Sequence, residues 1–319
     1  MSHALKFLVL SLLAMLTMAG TPSIAQTYPN KPIKIMVGFL PGGVTDVLNR
    51  LIADELRRLG GQPVVVENRP GVAALLAAQA VKGAPPDGYT LYGGSVTAFT
   101  SLYMLNSMDA PRELLPISTF AVGDWFLYVP AEIGVNNLKE LAAYAKANPG
   151  KFRFSSLSPS NTMLMAVVAK RLGFDFENIS YKTTPQVIQA LLSGDTQSTF
   201  NAASGFESYV QSGKLRAIAT LSPKRSPTLP DAPTAVEQGV PLNVQFSNGL
   251  WAPLGTPRDV IMKLNGMVAE AVKNPTTAER IRNVGLVPIP SAPEEMIEKF
   301  NLEMSFYREA AALIGFKPQ

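Results

Sequence analysis

The sequence predicts an α/β protein of two domains joined by two hinge strands. Three observations carry that expectation. Short apolar runs repeatedly end in small-residue loops and lead into helical patterns, the signature of parallel sheets with helices on their faces. Two longer β-rich stretches, near residues 118–130 and 244–252, interrupt the alternation and divide it into two blocks. The chain has 319 residues, 47% apolar and 16% charged, which is enough to bury a core in each block.

The elements follow in order. "MSHALKFLVLSLLAMLTMAGTPSIAQ" has a positive Lys6, an apolar stretch from Phe7 to Ala19 and small residues at Ser23 and Ala25. Residues 1–25 therefore read as a secretory signal cut after Ala25. The apolar stretch is short beside the ~20 residues of a membrane span. The chain has no Cys to lipidate, so a free protein of the bacterial periplasm is expected.

"IKIMVGF" is the first strand. Pro41-Gly42-Gly43 turns the chain, and Leu48, Leu51, Ile52, Leu56 and Leu59 recur at helical spacing over Val44 to Leu59. "GGQPVVVENRPG" reads as turn, short strand and turn, with Arg69 expected to pair with Glu67. "ALLAAQAVKGA" is a helix closed by Gly83 and the Pro85-Pro86-Asp87-Gly88 loop. "YTLYGGS" is a strand running into a second small-residue junction.

The first β-rich crossing follows, interrupted at Gly123-Asp124. "NLKELAAYAKANPG" is a helix. "FRFSSLSPSNTMLMAVVAKRLG" repeats strand, polar loop and helix, and further strands are expected near Ile179, Thr199 and Ile218. The second crossing, "VQFSNGLWAPLGTP", leads to two helices expected to return to the first domain. The domains so drawn are 26–122 with 250–319, and 123–249.

Two absences restrict the chemistry. There is no Cys, and the one His is His3, inside the signal. Ser-His-Asp and Cys-His catalysis and Cys- or His-ligated metals are excluded, and no cofactor is expected. A carboxylate or Lys mechanism stays open. The net charge of +4 is dispersed, with no basic run interleaved with aromatics, which speaks against nucleic acid.

Ligands of such sheets bind at the carboxyl ends of the strands. Four junctions would face one cleft: Phe39–Asp46, Gly93–Thr97, Ser155–Thr162 and Asn201–Gly205. "GFLPGGVTD" lacks the Gly-Lys-Ser/Thr of a P-loop and the G-x-G-x-x-G spacing of a dinucleotide site. Its Gly42, Gly43 and Val44 N–H groups, with Thr45, can hold a carboxylate directly or through water. The structural alternative is a turn closing a βα unit, with Thr45 and Asp46 only capping. "SSLSPSN" and "GGSVTAFT" carry the same two readings. Trp125 and Phe126 either pack the interdomain surface or stack on a ligand.

"YPNKPIKIMVGFLPGGVTD", "GQPVVVENRPG", "APPDGYTL", "KANPGKFRFSS", "SGKLRAIATLSPKRSPTLPDAPTAVEQG" and "WAPLGTP" resemble, in this order, the Bug family of tripartite tricarboxylate transporter substrate-binding proteins. The resemblance runs from about Tyr28 to the C-terminus. It implies a two-domain periplasmic binding protein of the flytrap type, monomeric by default, that captures a small organic carboxylate and hands it to a membrane permease. A sensor feeding a signalling kinase is the alternative. A secreted enzyme using Asp46 or Lys182 is a further one, and no catalytic residue is assigned. The ligand residues implied are Phe39, Gly42, Gly43, Thr45 and Asp46 on the first loop, and Ser95 and Thr97 after "YTLYGG". In the second domain they are Ser156, Ser158, Ser160, Asn161 and Asn201.

Three departures from the family pattern bear on the ligand. "VAALLAAQ" replaces a Gly-rich stretch with an Asp. Met163, Leu164 and Met165 stand where a His is common. Asn201 stands where Asp is frequent. Together they predict an apolar cleft and an aromatic, terephthalate-like carboxylate. An amino acid with a buried ammonium fits poorly.

Overall fold

The computed structural model describes residues 28–71, 74–95, 98–99 and 113–314; the expected signal and Thr97 lie outside them. The strands are β1 (Ile33–Val37), β2 (Val64–Asn68), β3 (Thr90–Ser95), β4 (Leu114–Asp124), β5 (Phe126–Pro130), β6 (Arg153–Ser156), β7 (Glu177–Ser180), β8 (Ser198–Asn201), β9 (Leu215–Thr220), β10 (Gln245–Pro253) and β11 (Val287–Pro288). The helices are α1 (Val44–Gly60), α2 (Leu75–Lys82), α3 (Leu138–Ala147), α4 (Pro159–Leu172), α5 (Thr184–Leu192), α6 (Glu207–Gln211), α7 (Arg258–Lys273), α8 (Pro275–Asn283) and α9 (Pro293–Ile314).

The strands form two sheets, ordered β11-β4-β10-β3-β1-β2 and β7-β6-β8-β5-β9. β1, β2 and β3 run parallel, as do β6, β7 and β8, while β10 and β5 enter antiparallel. Helices cover both faces, which explains the apolar strands. In β5, Leu127 and Val129 join the core under α3 and α4, whereas Phe126 and Tyr128 join the core under α5 and α6. Side chains alternate across the sheet, so these four consecutive buried residues serve two cores.

The division drawn from sequence at 122/123 and 249/250 falls inside β4 and β10. Those strands pair with each other from Gln245↔Asp124 to Pro253↔Leu114, all within the first sheet. Sheet membership changes at Trp125 and in the segment between β9 and β10. The two passages are tied together: Leu221 N–H donates to the Trp125 carbonyl at 2.9 Å, and Val244 N–H to the Leu221 carbonyl at 2.7 Å. Trp125 packs on Phe246 with ring centroids 4.7 Å apart. Phe126 is buried in the second sheet's core. Gly123 has no room for a Cβ because the Phe246 ring lies on it.

The last helix departs from expectation. Met296, Phe300 and Met304 of α9 do return to the first sheet, packing with Tyr92, Phe99 and Trp251. Tyr307 and Ala310 instead join the core of the second sheet with Val167 and Val168 of α4. A 22-residue helix is about 33 Å long, so it reaches both lobes. Its apolar stripe gives no sign of which lobe each turn will meet.

Candidate functional site

Strand register places the site. β3 is antiparallel to β10 with Ser95 opposite Asn248, only three residues past the start of β10. The carboxyl end of β3 therefore lies at the edge where the chain enters from the second lobe. In the other sheet Asn201, the last residue of β8, is opposite Phe126, the first residue of β5. The carboxyl ends of both parallel sets thus lie at the crossings, and the loops after β1, β6 and β8 leave the sheets at that edge.

The loop after β1 is built around Asp46. Its side chain is 3% exposed and accepts from Gly42 N–H at 2.9 Å, Arg50 Nε at 2.9 Å and Asn68 Nδ2 at 2.7 Å. Asn68 also donates to the Phe39 carbonyl at 3.0 Å, tying β2 to the loop. Burial by itself would raise the Asp46 carboxyl; the Arg50, Gly42 and Asn68 hydrogen bonds outweigh it and hold the group below its ordinary value. Asp46 therefore braces the loop from beneath instead of capping the first turn of α1. No side chain caps α1, whose N-cap is Gly43. The first-turn N–H groups of such a helix lack intrahelical partners and favour an anion. Leu40, Pro41, Gly42, Gly43 and Val44 are exposed around them, with Phe39 and Thr45 half-buried.

Gly42 holds φ at +83°, yet a Cβ there would meet nothing within 4 Å. Gly42→Ala should cost only the left-handed backbone penalty, about 1 kcal/mol. A melting-temperature loss of about 2 °C is expected from calorimetry on a chain of this size. Gly38 is the opposite case: Ala74 of the segment before α2 occupies the space a Cβ would need. Ala74 itself sits at φ 72°, in the stretch where the family pattern carries glycines.

In the second lobe, Ser158 is the N-cap of α4, accepting from Asn161 N–H at 3.3 Å, and Pro159 takes the first helical position. Ser158 Oγ donates to Asn161 Oδ1 at 2.7 Å, and Asn161 Nδ2 donates to the Phe200 carbonyl at 2.9 Å. Asn161 so fastens the loop to β8. Ser160 is fully buried and faces the Tyr307 hydroxyl of α9. Ser156 Oγ lies 3.4 Å from Ser180 Oγ, and Asn201 Nδ2 donates to Thr199 Oγ1 at 2.9 Å. Ser95 Oγ accepts from Ala98 N–H at 3.2 Å. Sequence reasoning missed Asn68, Tyr307, Asn49 and Asn248. Asn49 alone had a local signal, standing four residues after Thr45, whose carbonyl its Nδ2 reaches at 2.8 Å.

Residues 48–305 match the family described as "Tripartite tricarboxylate transporter family receptor". This chain belongs to that family. It is 34% identical over 280 residues to the UPF0065 protein in the gbd 5′ region of Cupriavidus necator, covering 86% of this chain and 85% of the other. The structure of the periplasmic binding protein BugD superposes with a TM-score of 0.76 at 29% identity, covering 92% of this chain and all of BugD. MatC from Rhodopseudomonas palustris, solved with bound malate, superposes with a TM-score of 0.75 at 26% identity, covering 89% and 99%. The Bug resemblance and the two-sheet periplasmic-binding-protein fold are thereby established.

Within this receptor, one sequence argument about the ligand changes. Met163, Leu164 and Met165 are no more than 2% exposed and belong to the core beneath β6 and β8. They pack the second lobe and carry no information about the cleft. The apolar groups at the loops are instead Phe39, Leu40, Val44 and Leu157. Arg69 pairs with Glu67 at 2.8 Å, as its spacing predicts, and Lys182 is exposed at the start of α5.

Proposed function

We propose that this protein is a periplasmic receptor that captures a small organic carboxylate between its lobes and delivers it to a tripartite-type membrane permease. The uncapped amino end of α1, presented on a loop whose own carboxylate is neutralised from beneath, is the observation that carries this reading. A bare anion site beside a free Asp would repel its ligand; here Arg50 and Asn68 remove that repulsion. A ligand touching both lobes favours the closed arrangement through its differential binding energy. The closed pair of lobes is the form the permease reads. Phe39, Leu40, Val44 and Leu157 favour a ligand with an apolar or aromatic body, the terephthalate type included.

Binding without turnover agrees with the state of Asp46. A carboxyl held below its ordinary value by three donors is ionised at neutral pH and has no proton to give, so it is a poor general acid. The reading is tested by thermal shift of the mature protein against mono-, di- and tricarboxylates, aliphatic and aromatic. At a ligand concentration 100-fold above Kd, stabilisation is about 2.7 kcal/mol, a rise of about 5 °C in Tm. No shift with any acid, on protein that native mass spectrometry shows to be ligand-free, would reject it.

A further inference from the structure

We infer that Ala74 is a positioning residue for the carboxylate site: its methyl, held by a strained backbone against Gly38, fixes where the loop after β1 leaves the sheet. The inference rests on the receptor reading above and adds to it a residue that sets affinity without touching the ligand. The chain is tied down as far as Val37, whose carbonyl accepts from Arg69 N–H at 2.7 Å. Gly38 is the first residue beyond that tie, and the exposed stretch Leu40–Val44 begins two residues later. Side chains alternate along β1. Ile35 and Val37 join the core under α1, while Met36 joins the opposite core with Ala74 and Tyr92. Gly38 falls on the Met36 side, and Ala74 fills the space its side chain would need: a Cβ there would collide with the Ala74 methyl and Cα. On the α1 side, Asn68 reaches both the Phe39 carbonyl and Asp46. The first residues of the loop are thus gripped from both faces of the sheet.

The backbone at Ala74 shows that this contact is not ordinary packing. Among the described residues, Ala74 alone has a positive φ, 72°, without being glycine. The left-handed region crowds any Cβ, and glycine enters it without that cost. Ala74 stands at the N-cap of α2, makes no side-chain hydrogen bond there and is 1% exposed. Its N–H donates to the Gly71 carbonyl at 2.8 Å, a turn that glycine at 74 would close equally well. The turn therefore requires a left-handed residue, and the methyl is what the loop requires. Stability does not select the alanine. Its strain on one side, and its buried methyl and stiffer unfolded chain on the other, are of similar size. Strain that the fold does not need, set against the first residue of a binding loop, serves to order that loop before the ligand arrives.

Ala74→Gly in the mature protein tests this. Its Tm should stay within about 2 °C of wild type, since the opposed contributions cancel. In the ligand-free variant, hydrogen exchange at the amides of Phe39, Leu40 and Gly42 should quicken about tenfold while β2 and β3 keep wild-type rates. Calorimetric titration with malate, adipate, benzoate and terephthalate should show the affinity for the tightest of them reduced about tenfold, because binding must now order the loop. Gly61→Ala is the control. It places an alanine at φ 67° with nothing within 4 Å of the added Cβ, so it should lower Tm and keep the wild-type affinity. Wild-type affinity in Ala74→Gly, or unchanged exchange in the loop, would overturn the inference and leave the receptor reading standing. A Tm loss above about 5 °C would overturn it as well, by showing that the methyl serves the fold at large. Failure of all four acids and of the wider carboxylate panel to bind the wild-type protein would reject the receptor reading and the inference with it.

Discussion

Asp46→Ala should lower the melting temperature by about 6 °C and abolish carboxylate binding, because one buried carboxylate holds three parts of the first loop. The substitution removes one of the two acceptors of the Asn68 amide, frees Gly42 N–H and takes the carboxylate from Arg50, which keeps the Asn68 oxygen. Arg50 is half exposed, so the ion pair itself adds little. Gly42 is exposed and its N–H can turn to water. Most of the loss, about 3 kcal/mol, comes from the Asp46–Asn68 hydrogen bond that joins α1 to β2 and from the buried gap. At about 2 °C per kcal/mol for a chain of this length, that gives the stated shift. Urea unfolding and thermal scans of the two proteins measure it.

The same carboxyl sets a pH dependence. Its value in the folded protein is below its ordinary one, so the unfolded chain takes up the proton first as pH falls. The stability it contributes is complete above about pH 4, the ordinary range of Asp. It is lost as pH drops through the folded value. Asp46→Asn should flatten the Tm profile below pH 4 relative to wild type and leave the slope from Glu67 and Asp87, which are also held low, in place. An unchanged profile would show that Asp46 does not brace the loop.

Tyr307→Ala should be the more damaging change, at about 3–5 kcal/mol or roughly 6–10 °C. Tyr307 is 1% exposed and seats α9 in the core of the second lobe. Truncation leaves a ring-sized gap between α9 and α4, at the turn that carries Ser158 and Asn161. Tyr307→Phe keeps the ring and loses only the hydroxyl facing Ser160, so a loss below about 1.5 kcal/mol is expected. Hydrogen exchange at the amino end of α4 separates the outcomes. Faster exchange in Tyr307→Ala with wild-type exchange at β1 places the damage in the second lobe; uniform exchange would show that α9 does not hold that turn.

The fold class was legible because it rests on local signals. Gly and Pro mark the turns, and apolar spacing distinguishes strands such as "IKIMV" from helices such as Val44–Gly60. The loop after β1 was legible for the same reason: Pro41-Gly42-Gly43 between strand and helix dictates an exposed helix end. The roles of individual side chains were not. Met163 and Met165 stand where the family commonly has a His and so read as cleft residues, yet helical rotation turns them into the core. Ser160 looked like a ligand donor, but α9, far away in sequence, covers it.

Local composition and spacing thus set the alternation of elements, the two crossings, the lack of imidazole and thiol groups after residue 25 and the helix end that favours an anion. Tertiary structure decided which polar groups remain available. Asn68 claims Asp46 across 22 positions, Phe200 claims Asn161 across 39, and strand register alone brings Asn248 beside Ser95. Hydrogen-bond partners and register depend on how distant strands pair, and no spacing along the chain encodes that.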